Sequence, residues 1–486
     1  MSKKSNRRMQ GRQARLTLSN GRPSLEISFT AGALTAYGGV PLAEKVSRLT
    51  GWIEGAASRL KENTTGALIT HNKLKKLKQC VLLTLTGNQD TNDADRLRFD
   101  PAFLEALGLD DEEGLASQPT ISRFLADVTQ PELDGLSEWF REFYLLQHPV
   151  KPRRIVLFVD GTAVQTYGKQ EGTGYRGGKY KKEMYFPLTV FDQSGCLLGV
   201  KLRQGYQSES KTVLAMLEPI VKTLRERWKH VEIVLIVDGA FKSSELLNWC
   251  EKNSVFYLAG YANTHAVKEK LKGERRGAML LFRRTYGKER FTGEKGDEKA
   301  QEEHKRIRDI EDSKKRMEEE RALAARRARV LGETTHKATT WPKEDPYRRM
   351  IFRVDHTDKG SETRCLLTNF EEYMPEQLYE MYCRRGTSEQ WIGELKYCLK
   401  FNSQTFRANH FRLYIHGMAY MILWLLRRSC SFAFRSFSLQ SIRKILIEIP
   451  ASITYRSSRT TLWELTDRYP YQTEFLRVAR KLERAS

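Results

Sequence analysis

Two short runs, residues 155–161 (IVLFVDG) and 233–239 (IVLIVDG), constrain this chain more than any other feature. Each is a continuous apolar, β-branched stretch that ends in Asp-Gly. Without the alternation of a half-solvated strand, such a run reads as a strand covered on both faces, as in parallel pairs beneath helices. Asp160 and Asp238 would then stand at equivalent carboxyl ends, the edge where open α/β sheets bind ligands. One strand ending in Asp-Gly is more often a structural turn. Two in one chain point to a paired site.

A third acid lies far downstream. Residues 382–396 (YCRRGTSEQWIGELK) place Tyr382, Arg385, Glu389 and Lys396 at intervals of three, four and seven. Those intervals keep side chains on one helical face, with Ile392 on the same seam. That face is polar where a packing face should be apolar. Taken alone, the stretch reads equally well as a solvated helix with one Arg385–Glu389 pair, worth a few tenths of a kcal/mol. Taken with Asp160 and Asp238, it supplies a third carboxylate flanked by cations. Gly386, Thr387 and Ser388 can also restart the helix here, which would move Tyr382 off the shared face.

The order of elements around the paired acids predicts the fold. Strands are expected at 154–160, 184–191 and 197–203, with residues 192–195 (DQSG) as a hairpin turn. A helix (210–228), a strand (233–238), a helix (243–253) and a strand (255–259) follow. Three meandering strands, a helix, a parallel strand, a helix and a strand is the order of the ribonuclease H-like α/β fold. That fold sets its first strand beside its fourth, and so Asp160 beside Asp238.

The remaining chain divides around this core. Residues 1–30 read as a disordered basic arm, and 31–150 as a helical domain for DNA binding or dimerisation, clearest at 42–60 and 74–85. Residues 151–270 form the first part of the catalytic domain. Residues 271–370 form an insertion, with strands expected at 279–285, 347–354 and 364–368. Its charged stretch, 293–332, reads as one long exposed helix. Residues 371–430 complete the catalytic domain with Glu389 and an apolar helix at 411–426, and 431–486 read as a helical tail.

Two polar segments are candidates for DNA contact. In 116–128 (ASQPTISRFLADV), Pro119 marks a helix start with Thr120, Ser122 and Arg123 close by. Helix amino termini accept phosphate, and recognition helices use their first turns on DNA. An ordinary capped surface helix fits that stretch equally well. Gly172, Gly174 and Gly177 satisfy GxGxxG, but they lead from a lysine-rich stretch into a strand, the reverse of the dinucleotide fingerprint. The loop 169–182, with Lys179, Lys181 and Lys182, reads instead as a DNA-backbone contact.

Charge narrows the partner. Lys and Arg number 82 against 60 Asp and Glu, a formal net charge of +22 over 486 residues, which suits a polyanion. No apolar run approaches the ~18 residues of a membrane span, since 414–426 is broken by His416 and Gly417, and no membrane partner is expected. The seven cysteines form no CxxC and read as free thiols of a reducing cytoplasm rather than a zinc site or disulfide framework. The absence of GxxxxGK[ST] disfavours an NTPase.

With these residues in view, the chain resembles the DDE transposases of bacterial insertion sequences. Their Y-(2)-R-(3)-E-(6)-K signature is met by Tyr382, Arg385, Glu389 and Lys396, and Asp160 and Asp238 fall where that family's first two acids fall. It looks most like the insertion sequence 1380 family, related to the piggyBac type. Residues 85–101 (LTGNQDTNDADRLRFDP), 116–123 (ASQPTISR), 382–396 and 406–420 (FRANHFRLYIHGMAY) carry that likeness.

The resemblance implies that Asp160, Asp238 and Glu389 are the catalytic acids and hold two Mg²⁺ ions, with Mn²⁺ able to substitute. Tyr382, Arg385 and Lys396 would grip the DNA backbone. It further implies cleavage at the terminal inverted repeats of an element and transfer of the 3′ ends into target DNA, by a homodimer assembled on DNA in the cytoplasm, at the nucleoid. The chain departs from the family in the length of 293–332 and in Val237, which stands where related members often have arginine. Alternatives are a ribonuclease H-like nuclease or resolvase without strand transfer, and a domesticated DNA-binding protein.

Overall fold

The computed structural model describes residues 13–16, 25–28, 30–62, 70–176, 181–204, 209–289, 296–397, 399–457 and 460–485. The chain forms two compact units, one of residues 144–163 and 186–392, the other of 1–143, 164–185 and 393–486.

The first of these units carries the paired Asp-Gly strands. In chain order it contains β1 (Arg154–Gly161), β2 (Leu188–Asp192), β3 (Leu197–Lys201), α1 (Glu209–Arg227), β4 (Glu232–Val237), α2 (Ser244–Lys252) and β5 (Phe256–Tyr261). β2 pairs antiparallel with β1 and with β3, whereas β4 runs parallel to β1, and β5 parallel to β4. The order β3-β2-β1-β4-β5 is that of the ribonuclease H-like fold. Its apolar runs are buried as their lack of alternation predicts: Ile155 and Leu157 are inaccessible, as are Ile233, Val234, Ile236 and Val237. Each such side chain contributes about 1.5–3 kcal/mol relative to leaving it exposed.

Beyond β5 the sheet continues. α3 (Lys272–Tyr286), α4 (Gly296–Arg308) and α5 (Ser313–Ala325) precede β6 (Arg327–His336), β7 (Arg348–Thr357) and β8 (Gly360–Thr368). β8 pairs antiparallel with β5, β7 with β8, and β6 with β7, giving eight strands in the order β6-β7-β8-β5-β4-β1-β2-β3. α6 (Pro375–Cys383) and α7 (Arg385–Tyr397) come next, the latter belonging to this unit as far as Ile392.

Several sequence expectations are corrected here. The strand expected at 279–285 lies within α3, where Ala278 and Phe282 are buried one turn apart while Leu280 and Leu281 are exposed. A short apolar run does not by itself distinguish helix from strand. The single long helix expected over 293–332 is two helices and the start of β6, apart from residues 293–295, which lie outside the described residues. Asp312 caps α5 by accepting from the amides of Lys314 and Lys315, and residues 327–332 pair with 352–357 of β7. The strand expected at 184–191 is interrupted at Pro187, which has no N–H for a ladder. Lys182–Tyr185 joins a small sheet in the other unit instead.

That other unit is built on the helix Phe406–Ser429, which is buried along most of its length. Trp52 donates its indole N–H to the Met418 carbonyl at 3.1 Å and packs against Phe140 and Phe143. The tail expected to be helical contains an antiparallel pair, Ala451–Ser457 with Thr460–Leu465, extended by Leu34–Thr35. In the expected disordered arm, Gln13–Leu16 pairs with Leu25–Ser28, while residues 1–12, 17–24 and 29 lie outside the described residues. Among the described residues, no helix is long and apolar enough to cross a membrane.

Candidate active site

The parallel register sets Val159 against Val237, so the next residue of each chain segment, Asp160 or Asp238, emerges at the same sheet edge. Asp238 directly follows its strand, whereas Asp160 is the penultimate residue of β1, opposite Thr189. Asp160 Oδ1 accepts from the Gly161 amide at 2.8 Å, and Asp238 Oδ1 accepts from the Ala240 amide at 2.8 Å, capping the short 3₁₀ turn Gly239–Phe241. Burial, and then the charge of Asp238, push the Asp160 carboxyl up to about 6. Val237 is fully buried, and the local support of Asp238 comes from that backbone amide.

The third acid arrives on α7. The helix is interrupted at Arg384 and restarts at Arg385, and the buried Ser388 donates its hydroxyl to the Arg385 carbonyl at 2.7 Å. Tyr382 and Glu389 therefore sit on different helices. One turn separates Arg385 from Glu389, and the guanidinium reaches both ways. Nη1 lies 3.1 Å from Asp160 Oδ2, and Nη2 lies 2.5 Å from Glu389 Oε1.

Trp391, at the middle of this helix, packs it against the sheet. Its ring packs on Phe158 and Phe191, with centroids at 5.7 Å and 5.9 Å. At Gly195, where φ is +80°, a Cβ would come within 2.9 Å of the indole. Phe158 is two residues before Asp160, so the contact that seats α7 also registers the third acid against the first. Spacing along the chain does not single out Trp391, because it stands two positions after Glu389 and so lies on the other side of the helix. Gly260 escapes sequence reading for another reason. It lies near the end of β5, where a Cβ would overlap the hydroxyl oxygen of Tyr382, a contact that no local pattern announces.

Tyr382, Arg385 and Glu389 line a cleft of about 450 Å³ together with Gly239, Gly260 and Arg364. Burial raises the Tyr382 phenol above its ordinary range, against the opposing pull of Arg385. Oxygen donors of this kind suit hard divalent cations. The guanidinium between two of the carboxylates marks the place as one that holds positive charge. As they stand, however, the three acids do not close into the expected cluster. Among the described residues, no group of three or more His, Cys, Asp and Glu side chains is drawn close enough to hold a metal ion. Arg385 stands between Asp160 and Glu389.

The other candidate DNA contacts belong to the second unit. Lys396 is exposed on α7, two turns beyond Glu389. Lys181 is exposed with φ +47°, and Lys182 donates to Gln165 Oε1 at 2.8 Å. Lys179 lies outside the described residues. On the helix Gln118–Ala126, the first amide already donates to Asp95 Oδ1 at 2.9 Å. Thr120 is paired with Ser117 at 3.1 Å, and Ser122 accepts from the Gln118 side chain at 3.0 Å. Arg123 is exposed and turns back to the Pro119 carbonyl. The amino terminus read as a phosphate seat thus has a carboxylate on it.

A ribonuclease H-like sheet with Asp160 near the end of its first strand and Asp238 just after its fourth, and with Glu389 on the second helix after the last strand, has the layout of a DDE-type phosphoryl-transfer fold. The profile of the family described as Transposase DDE domain group 1 matches residues 18–486, and the chain belongs to this family. It is a DNA transposase, and the family uses divalent metal ions. Among solved structures, it is similar to the piggyBac transposase synaptic complex with hairpin DNA, at 14% identity and a TM-score of 0.39, over 84% of this chain and 79% of that one. It is also similar to the Mos1 transposase paired-end complex with left transposon end, at 13% identity and a TM-score of 0.15, over 40% and 60% of the respective chains. A search of curated proteins gives no match.

Proposed function

We propose that this transposase binds the terminal inverted repeats of an insertion sequence, cleaves the DNA there, and transfers the 3′ ends into target DNA, with Asp160, Asp238 and Glu389 as its catalytic acids. The observation that carries this reading is the shared sheet edge of Asp160 and Asp238, with Arg385 linking Asp160 to Glu389. Two Mg²⁺ ions, or Mn²⁺ in their place, would be held by Asp160, Asp238 and Glu389, whose carboxylate oxygens suit hard divalent cations. When bound, such ions activate the attacking oxygen and stabilise the leaving one.

The chain's own residues do the rest. Tyr382 and Arg385, on the wall of the cleft, bind the scissile backbone. Arginine suits bidentate contact with phosphate. Lys396, Lys179, Lys181 and Lys182 extend the backbone contact electrostatically, with Thr120, Ser122 and Arg123 as a further contact. The working form is a homodimer assembled on DNA, in the cytoplasm and at the nucleoid.

Alanine at Asp160, Asp238 or Glu389 should reduce cleavage of an element-end duplex by a factor of at least ~10³, on the scale of losing a principal electrostatic group. Duplex binding should stay within a few-fold of the parent protein. Cleavage that survives any of the three substitutions removes that residue from the catalytic set. Cleaved products that never join a target would favour the nuclease reading instead.

A further inference from the structure

We propose that Arg385 is an internal counter-ion in the seat a divalent cation takes, and that cation entry turns its guanidinium from the carboxylates to a DNA phosphate. The proposal rests on the reading of Asp160, Asp238 and Glu389 as the metal-holding acids. Its ground is geometric. The guanidinium engages Asp160 Oδ2 at 3.1 Å and Glu389 Oε1 at 2.5 Å, while Asp160 Oδ1 accepts from the Gly161 amide. Arg385 therefore occupies one oxygen of each of these two carboxylates. Among the described residues, the Glu389 carboxylate has no other hydrogen-bond partner, and its side chain is 55% exposed. Arg385 ties the Glu389 side chain to Asp160.

A guanidinium and a divalent cation compete for these oxygens. An N–H donor sits at about 2.9 Å from its acceptor, whereas Mg²⁺ requires oxygens at about 2.0–2.1 Å, and the two positive charges repel. Displacement leaves Arg385 on the wall of the same cleft, beside Tyr382. A backbone phosphate there offers the bidentate acceptor that the carboxylates have given up. Cation binding and the freeing of a phosphate-binding arginine become one event. Linkage then requires DNA to strengthen cation binding by the factor by which the cation strengthens DNA binding.

The test is calorimetric titration of Mn²⁺ into the full chain without DNA. Arg385→Gln should bind Mn²⁺ roughly tenfold more tightly than the parent, because the competitor is gone. Arg385→Lys, which keeps the charge but cannot bridge, should fall between them. Removing any nearby cation would help a metal a little, so Arg364→Gln, on the same cleft, is the control and should change affinity less than twofold. In the parent, a short duplex should tighten Mn²⁺ binding, and in Arg385→Gln that gain should shrink. Equal or weaker Mn²⁺ binding by Arg385→Gln, or an equal gain from Arg364→Gln, overturns the proposal. If Arg385→Gln does not fold, the Lys variant decides it, with binding no tighter than the parent as the adverse result. Asp160→Asn and Glu389→Gln separate the two readings. If Mn²⁺ still binds with both acids altered, the metal-site reading itself has failed.

Discussion

Asp160 is held where its own charge is unwelcome. The strand that carries it is buried, and the carboxyl is lifted from 3.8 to about 6, first by desolvation and then by Asp238, despite the Arg385 pair. The folded protein therefore keeps this proton between pH ~4 and ~6, where the unfolded chain has released it. Stability from this group is full below the lower value and is lost as pH rises through the upper. Asp160→Asn removes the titration. At pH 8 the variant should be more stable than the parent by up to about 3 kcal/mol, with the difference vanishing below pH ~4. Denaturant unfolding at several pH values measures it. A variant that is less stable at pH 8, or a difference that ignores pH, would show that Arg385 outweighs desolvation. A site residue that costs stability is expected where chemistry requires clustered like charge.

At the scale of elements, α4 and α5 contrast with β6. The helices are joined by Arg306, which pairs with Glu303 and Glu319, and Ile307 is buried while Met317 is half exposed. β6, by contrast, is paired with β7 along ten residues. Replacing 296–325 with a Gly/Ser linker should leave the melting temperature of the sheet-bearing unit within a few degrees, because little buried surface is lost. Extending the deletion to residue 332 removes the first six ladder positions of β6 and should destabilise that unit. Calorimetry on the two deletions distinguishes them. A shorter deletion that unfolds the sheet would place α4 and α5 in its core.

Across the whole molecule, the charge excess of +22 is the property that a polyanion partner reads. Affinity for duplex should fall linearly on a log–log plot against salt, with a slope of about −0.9 for each phosphate neutralised. Lys181 and Lys182 are exposed. Neutralising both should flatten the slope by up to about two and leave Mn²⁺ binding unchanged. A slope near zero in the parent would remove the electrostatic account of DNA binding. An unchanged slope in the double variant would place these lysines away from the duplex.

The paired strands, the order of the sheet around them and the acids at their ends were legible in the sequence. Unbroken β-branched runs bury on both faces, and Asp238 both follows its strand and caps the turn after it, so local pattern and tertiary role coincide there. The helix restart before Glu389 was legible in Gly386-Thr387-Ser388 for the same local reason. Other features depended on neighbours far along the chain. β6 was hidden in a charged stretch because its strand character comes from pairing with β7, and α3 looked like a strand because its buried face is sparse. Trp391 wedged against Phe158, Gly260 beneath Tyr382, and the contact of Arg385 with Asp160 join residues that no sequence period relates. Spacing along the chain names the groups that carry the chemistry. Which oxygen each one faces is decided only when the sheet and the helix pack together.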